Sequence, residues 1–235
     1  MTVSANEMIQ GNMREAFAHV DHWVFDLDDT LYPRSVGVHE LLRRRVVAFI
    51  ADHMKIDPAA AEAIHLDYYE RFGSTLQGMV ELHDATPAAF LDYVHDIDLS
   101  MLVPNHALID VLKALPGKRI VFTNASRGHA AAALAAMGMT DLFDVIASIE
   151  DSGFVGKPHL SAFEIFLAKH GVAPERAAMF EDRPGNLRVP HRLGMKTVLV
   201  VDPLLADAAG ARVSRSGHVD VVVTNLTAFI GELTI

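Results

Sequence analysis

Four groups of chemically useful side chains are spread along the chain, and each follows a short apolar run or sits in a tight turn. Asp26, Asp28 and Asp29 follow His22-Trp23-Val24-Phe25, and Thr123 and Asn124 follow Arg119-Ile120-Val121-Phe122. Lys157 lies in a Gly-Lys-Pro turn, and Glu181 and Asp182 close the run that begins at Ala177. If those runs are neighbouring strands, acids from opposite ends of the chain meet one lysine and one hydroxyl. Carboxylates that close repel one another and raise one another's pKa values. A divalent cation with oxygen ligands removes the conflict, and hard carboxylate donors point to Mg²⁺. A cation and a lysine together hold a phosphate dianion. Asp26 and Asp28 are two residues apart, so on an ideal strand they share a side. In a tight turn they can split between two roles. One carboxylate attacks phosphorus to form an aspartyl phosphate. The other protonates the leaving oxygen and then deprotonates a water. The plainer alternative is a solvated acidic loop with Asp29 as a helix cap, and the ordered recurrence of four such groups weighs against it.

The elements that must position these residues alternate through the second half of the chain. Strands are expected at 119–122, 144–148, 177–181, 197–201 and 219–223, with helices at 126–137, 160–170 and 184–193. Gly138, Gly171 and Gly194 follow the three helices, as helix stops should. Continuous apolar strands alternating with helices argue for an α/β fold with a doubly wound parallel sheet, covered on both faces. Ligands of such sheets bind outside the carboxyl ends of the strands. Almost ninety residues without a strand pattern separate the first two strands, too many for a plain loop. Apolar residues at helical spacing, such as Val38, Leu41, Leu42 and Phe49, make 36–98 a helical insert over the end of the first strand. Pro33 and Pro104 mark its hinges. The stretch from Met1 to Val20 is weakly patterned and reads as a tail or a loose helix.

Composition narrows the function classes. The 235 residues are 51% hydrophobic and 21% charged, which excludes a wholly disordered chain. There is no cysteine, so disulfides, thiolate metal sites and a cysteine nucleophile are excluded. Thirty acidic against twenty basic residues give a formal charge of −10, which disfavours nucleic-acid polymers and anionic membranes as partners. No apolar stretch approaches the roughly 20 residues of a membrane span, and the first residues lack a signal-peptide core. A cytoplasmic location is the expectation.

With those residues quoted, the chain resembles the haloacid dehalogenase superfamily in its phosphatase branch. Phe25-Asp26-Leu27-Asp28-Asp29-Thr30-Leu31 matches its D-x-D-x-T motif, and Val121-Phe122-Thr123-Asn124, Gly156-Lys157-Pro158 and Phe180-Glu181-Asp182-Arg183 match the others in order. The resemblance implies Asp26 as nucleophile and Asp28 as general acid and base. It implies Mg²⁺ held by Asp26, the backbone carbonyl of Asp28 and Asp182, with Glu181 acting through water or from behind. Thr123 and Lys157, and with them Asn124, would hold the phosphate. Dehalogenases of the superfamily lack the second aspartate, so Asp28 favours phosphoryl transfer. A narrower resemblance covers the insert: Asp29-Thr30-Leu31-Tyr32-Pro33, 68–78 and 94–98 look like the pyrimidine 5′-nucleotidase group. It implies a core of 1–33 and 101–235, a small helical cap of 34–100, and a nucleoside 5′-monophosphate as substrate. The alternatives are a phosphatase or mutase acting on a sugar phosphate or another small metabolite, and a non-catalytic binding protein. Glu181 stands where many members carry a second Asp, which keeps the charge.

Other residues are ambiguous. Tyr68, Tyr69 and Phe72 read as packing of the insert, with stacking on a base the alternative. Gly73 and Gly78 are either turn residues or points of close approach to substrate. His129, His159 and His191 read as surface or helix-start residues. Arg43-Arg44-Arg45 reads as a solvated helix face, whereas Arg34 and Arg127, next to two motifs, are candidates for substrate contact.

Overall fold

The computed structural model of the protein describes residues 13–204 and 217–234. The tail or loose helix expected over 1–20 therefore lies partly outside the described residues. Residues 13–17 are helical, and Phe17 and Val20 are buried.

Six parallel strands form one sheet in the order β3-β2-β1-β4-β5-β6. They are β1 His22–Phe25, β2 Lys118–Phe122, β3 Val145–Ala147, β4 Ala177–Glu181, β5 Lys196–Val200 and β6 Val221–Val223. Successive strand side chains point to opposite faces, and both faces are apolar here. Trp23, Phe25, Val121, Phe180 and Val198 belong to one core cluster, with helices α5 His106–Ala114, α6 Arg127–Ala136 and α9 Leu226–Thr234. Val24, Ile120, Phe122, Met179 and Leu199 belong to the other, with α7 Leu160–His170 and α8 Arg188–Leu193. This is the doubly wound α/β architecture that the alternating pattern predicts.

Between β1 and β2 lie four helices, α1 Val38–Met54, α2 Pro58–Phe72, α3 Thr75–His83 and α4 Pro87–Val94. They enclose a third apolar cluster, in which Val47, Ile50, Tyr68, Met79, Phe90 and Leu91 meet. Asp57 caps α2 by accepting from the backbone of Ala59 and Ala60, and Pro58 occupies its first turn. The Gly78 backbone lies so close to the Tyr68 ring that an added Cβ would stand 2.5 Å from it. Gly78 thus serves helix packing rather than substrate approach. The helix expected at 184–193 is instead a 3₁₀ turn, Pro184–Leu187, followed by α8. Starting the α-helix at Arg188 leaves Pro190 in the first turn, where a missing N–H costs little.

The strand ladders extend to the motif residues. Asp26 N–H donates to the Phe180 carbonyl at 2.9 Å, and Thr123 N–H donates to Ala147 at 3.0 Å. The Phe25 and Phe180 rings stack beneath this edge with centroids 4.6 Å apart, and both are fully buried. Phe25→Ala should therefore cost about 3–5 kcal/mol of stability, read from urea unfolding. A loss below about 1 kcal/mol would mean the edge does not rest on this pair.

Candidate active site

Lys157 reaches the sheet edge from the turn after β3 and is 1% exposed. Its Nζ donates to Asp26 Oδ1 at 2.8 Å, to the Phe122 carbonyl at 2.8 Å and to Glu181 Oε1 at 3.1 Å. An ammonium has three N–H groups, and all three are satisfied. The backbone holds the lysine in place through Asn124. Asn124 Oδ1 accepts from Lys157 N–H at 2.7 Å, and its Nδ2 donates to the Lys157 carbonyl at 2.9 Å. Gly156 permits this clamp, since a Cβ there would lie 2.8 Å from the Asn124 side chain. Asn124 thus grips the lysine turn, in addition to lining the cavity above. Thr123 is buried at the cavity wall, where its Oγ1 accepts from Ala125 N–H.

Glu181 is fully engaged. Its Oε1 also accepts from Asn186 Nδ2, and its Oε2 accepts from Arg183 N–H at 2.6 Å. Asp26, Glu181 and Asp182 each offer a carboxylate oxygen within 4.8 Å of the others. Against these three acids stands one ammonium. Burial pushes the Asp26 carboxyl up to about 7, against the pull of Lys157. Burial, with Glu181 and Asp26 adding repulsion, pushes Asp182 up to about 10. Burial disfavours the Lys157 charge, but Asp26 and Glu181 outweigh it and hold its pKa above the ordinary value. An all-oxygen donor set with surplus negative charge fits a hard divalent cation.

Asp28 is in a different setting. Asp29, at φ +62°, turns the chain after it, and Asp28 Oδ1 receives hydrogen bonds from Tyr32 Oη and from His129 Nε2, the latter at 2.8 Å. Burial opposes its charge, but His129 and Tyr32 prevail and hold its pKa below the usual carboxylate range. Its carboxylate is not part of the Asp26, Glu181 and Asp182 group. The expectation of a surface role for His129 is corrected. The residue does sit in the first turn of α6, but its side chain is fully buried against Asp28. His129, Ala130, Ala133 and Leu134 form the buried face of that helix, and this i, i+4 spacing is a signal the sequence carried. In the sequence, Tyr32 and His95 have no role of their own; they stand only within the stretches that resemble the nucleotidase group.

These groups floor a cavity of about 490 Å³ whose other side is formed by α1, α2 and the end of α4. Arg34 lines it, half-exposed, with Nη2 2.8 Å from His39 Nε2. Of the tyrosines, Tyr68 is buried in the insert, whereas Tyr69 lines the cavity with the Arg183 guanidinium 4.1 Å from its ring centre. Arg43 lines the cavity while paired with Glu40 and Glu62, so the Arg43–Arg45 run is not simply a solvated face. Arg127 points elsewhere, bonding Asp151 and the Ile146 carbonyl. His159 heads α7, and His191 lies 4.0 Å from Asp220.

A family model described as haloacid dehalogenase-like hydrolase matches residues 20–194. The chain belongs to this family. Among curated relatives of this haloacid dehalogenase-like hydrolase, "Phosphate metabolism protein 8" of Saccharomyces cerevisiae is 28% identical over 194 residues, 74% of this chain but 60% of the yeast protein. "Glyceraldehyde 3-phosphate phosphatase" of Methanocaldococcus jannaschii is 27% identical, covering 76% of this chain and 83% of that one. A haloacid dehalogenase family phosphatase of Thermococcus onnurineus shares the fold with a TM-score of 0.60 at 16% identity, covering 92% of this chain and all of the other. The L-2-haloacid dehalogenase of Xanthobacter autotrophicus does so at 0.56 and 19%, covering 92% and 97%. No helix among the described residues is long and apolar enough to cross a membrane.

The raised pKa values of this hydrolase set a pH dependence. Unfolded, Asp26 and Asp182 lose their protons near pH 4; folded, they keep them up to about 7 and about 10. At these two carboxyls the folded state then binds more protons, so their contribution to stability falls as pH rises above about 4. A cation that binds the ionised carboxylates of the folded state opposes this. In EDTA, the thermal midpoint should fall by several degrees between about pH 5 and about pH 8, and Mg²⁺ should restore more at the higher pH. Equal Mg²⁺ shifts at both pH values would overturn this account.

Proposed function

We propose that the protein is a Mg²⁺-dependent phosphomonoesterase that works through an aspartyl phosphate on Asp26, with a nucleoside 5′-monophosphate, pyrimidines preferred, as substrate. The observation that carries the chemistry is the divergence of Asp26 and Asp28. Two carboxylates two residues apart lie in unlike settings at the floor of one cavity, one on a buried ammonium and one on a histidine and a tyrosine.

Thr123 binds a phosphate oxygen through its hydroxyl, and Lys157 binds another with the N–H released from Asp26 as that carboxylate turns to phosphorus, with Asn124 holding the lysine turn. An Asp26 carboxylate oxygen attacks phosphorus, the bond to the leaving oxygen breaks, and Asp28 gives that oxygen its proton. A phosphate dianion beside Asp28 raises its pKa, which lets it carry the proton as substrate arrives. Water then attacks the phosphorus of the aspartyl phosphate, and Asp28 takes its proton. Inorganic phosphate leaves and the Asp26 carboxylate is restored. A magnesium ion held by Asp26, Asp182 and the Asp28 backbone carbonyl, with Glu181 behind them, would lessen the repulsion between carboxylate and phosphate dianion.

The substrate reading rests on the cavity. Residues 34–100 act as a cap on a core of 1–33 and 101–235, closing to exclude water and to read the leaving group. A volume of about 490 Å³ exceeds the needs of a phosphate alone. Leu42, Val46, Leu66 and Tyr69 give its far wall an apolar, partly aromatic character that suits a flat base. The second reading, a phosphorylated sugar or triose, is favoured by the name of the archaeal relative.

Phosphate release should be measured on UMP, CMP, dUMP, AMP, GMP, hexose phosphates and glyceraldehyde 3-phosphate, each with Mg²⁺ or EDTA. Mg²⁺-dependent release strongest on UMP or CMP is expected. A preference for a sugar phosphate would overturn the substrate assignment, and no release from any ester would overturn the phosphatase. Asp26→Asn should lower kcat by more than about 10³-fold with an unchanged circular dichroism spectrum, since no other group forms the covalent intermediate. Tyr69→Ala should raise KM for UMP about tenfold, as loss of a stacking face would, while leaving KM for an alkyl phosphate within about threefold. Equal rises on both would remove the base-stacking role.

A further inference from the structure

Asp28 must present one carboxyl oxygen to the substrate, yet it opens a turn in which nothing covalent fixes its side chain. The fixing comes from a small polar assembly at the start of α6. The His129 side chain is fully buried and does not line the cavity, so it meets the reaction only through Asp28. Its Nε2 lies 2.8 Å from Asp28 Oδ1, the oxygen that also accepts from Tyr32 Oη. Both donors fall on the same oxygen, and no hydrogen bond is made to Oδ2 among the described residues. An Nε2–H tautomer supplies this bond. The His129 Nδ1 is buried without a partner among the described residues.

The ring is held in turn from the inserted segment. His95, which ends α4, stacks on His129 with centroids 4.6 Å apart and planes at 27°. Ser126 locks the two together. Its hydroxyl accepts from the His129 backbone N–H at 3.2 Å, capping α6, and lies 2.8 Å from His95 Nδ1, to which it can donate. The last helix of the insert thereby presses on the residue that orients Asp28.

We propose that His129, backed by His95, is a positioning residue that fixes Oδ1 of Asp28 and leaves Oδ2 to serve the leaving oxygen and the water. The inference rests on the phosphomonoesterase reading. It ties the catalytic posture of Asp28 to the seating of the insert on the core.

The test compares wild type, His129→Ala and His129→Gln on an alkyl phosphate and on p-nitrophenyl phosphate. A displaced acid costs most where the leaving group needs its proton. His129→Ala should lower kcat/KM, which reports the steps up to the aspartyl phosphate, about 10²-fold on the alkyl ester, with a clearly smaller loss on p-nitrophenyl phosphate. The inhibition constant of inorganic phosphate should stay within about threefold, because phosphate binding does not use His129. His129→Gln keeps an N–H donor and should recover to within about tenfold of wild type on the alkyl ester. A packing role alone would lower the thermal midpoint and reduce both esters equally. As a readout independent of turnover, the ¹⁵N spectrum of the imidazoles should show His129 protonated at Nε2 and shifted by Asp28→Asn. Wild-type protein without phosphate release would overturn the phosphatase reading itself. In an active enzyme, His129→Ala keeping more than about half of kcat/KM on the alkyl ester, or losing kcat/KM equally on both esters, would overturn the positioning role. A His129 resonance unmoved by Asp28→Asn would overturn the contact.

Discussion

The Lys157 ammonium is cut off from water and has three acceptors, Asp26, the Phe122 carbonyl and Glu181. Taking an ammonium out of water costs several kcal/mol unless every N–H is matched and the opposing charge is close. The three acceptors stand at the carboxyl ends of β1, β2 and β4. The lysine is therefore satisfied only when these strands are in register, and in turn it marks that register. Removing it would leave Asp26 and Glu181 buried without their cation, a state that breaking a buried pair makes costly. Asn124 and Gly156 belong to the same constraint, since they fix where the lysine turn meets the edge.

One ammonium does not balance three acids. The raised pKa values of Asp26 and Asp182 express that deficit, and the deficit gives the edge its affinity for a cation or for protons. Glu181, whose oxygens are already taken by Lys157, Asn186 and Arg183, is the acid least free to add a further ligand bond. Asp182 is the freest. Water admitted to the edge would weaken each of these interactions, and α1, α2 and the end of α4 form the opposite wall of the cavity. Contacts that reach across include Arg183 on the ring of Tyr69, and His95 on His129 and Ser126.

The sheet was legible because its strands are short apolar runs, and a parallel sheet buried on both faces requires that pattern. His22–Phe25 and Ala177–Glu181 fall where the sequence predicts them, and the other strands differ at their ends by a residue or two. The residues at the strand ends could be found for the same reason, since the end of each apolar run locates the edge. The helices of the insert were legible as periodicity, but which face meets the cavity was not, because that depends on how the insert sits on the core. Tyr68 and Tyr69 show this: they are adjacent in sequence, one is buried in the insert and the other lines the cavity. His129 was hidden in an alanine-rich helix, where a lone histidine near the start resembles a surface residue. Its partner Asp28 is 101 residues away, so no local rule connects them.

The fold alone does not choose the chemistry, since a dehalogenase and a phosphatase superimpose on this chain about equally well. The choice falls to Asp28. A halide leaves without a proton, whereas an alkoxide needs one, so a second carboxyl at the edge has work only in ester cleavage. A second acid with no catalytic use would be free to face solvent or to join the cation cluster. Asp28 does neither. It is partly buried, separated from Asp26, Glu181 and Asp182, and placed under a tyrosine hydroxyl and a histidine that is itself buried. Burying His129 with one ring nitrogen unpartnered costs stability. Under the proposed mechanism that cost holds one carboxylate oxygen, Oδ1, so that Oδ2 can move the proton. The environments of Asp26 and Asp28 diverge as the proposed roles of nucleophile and acid require, and that divergence favours phosphoryl transfer over halide displacement.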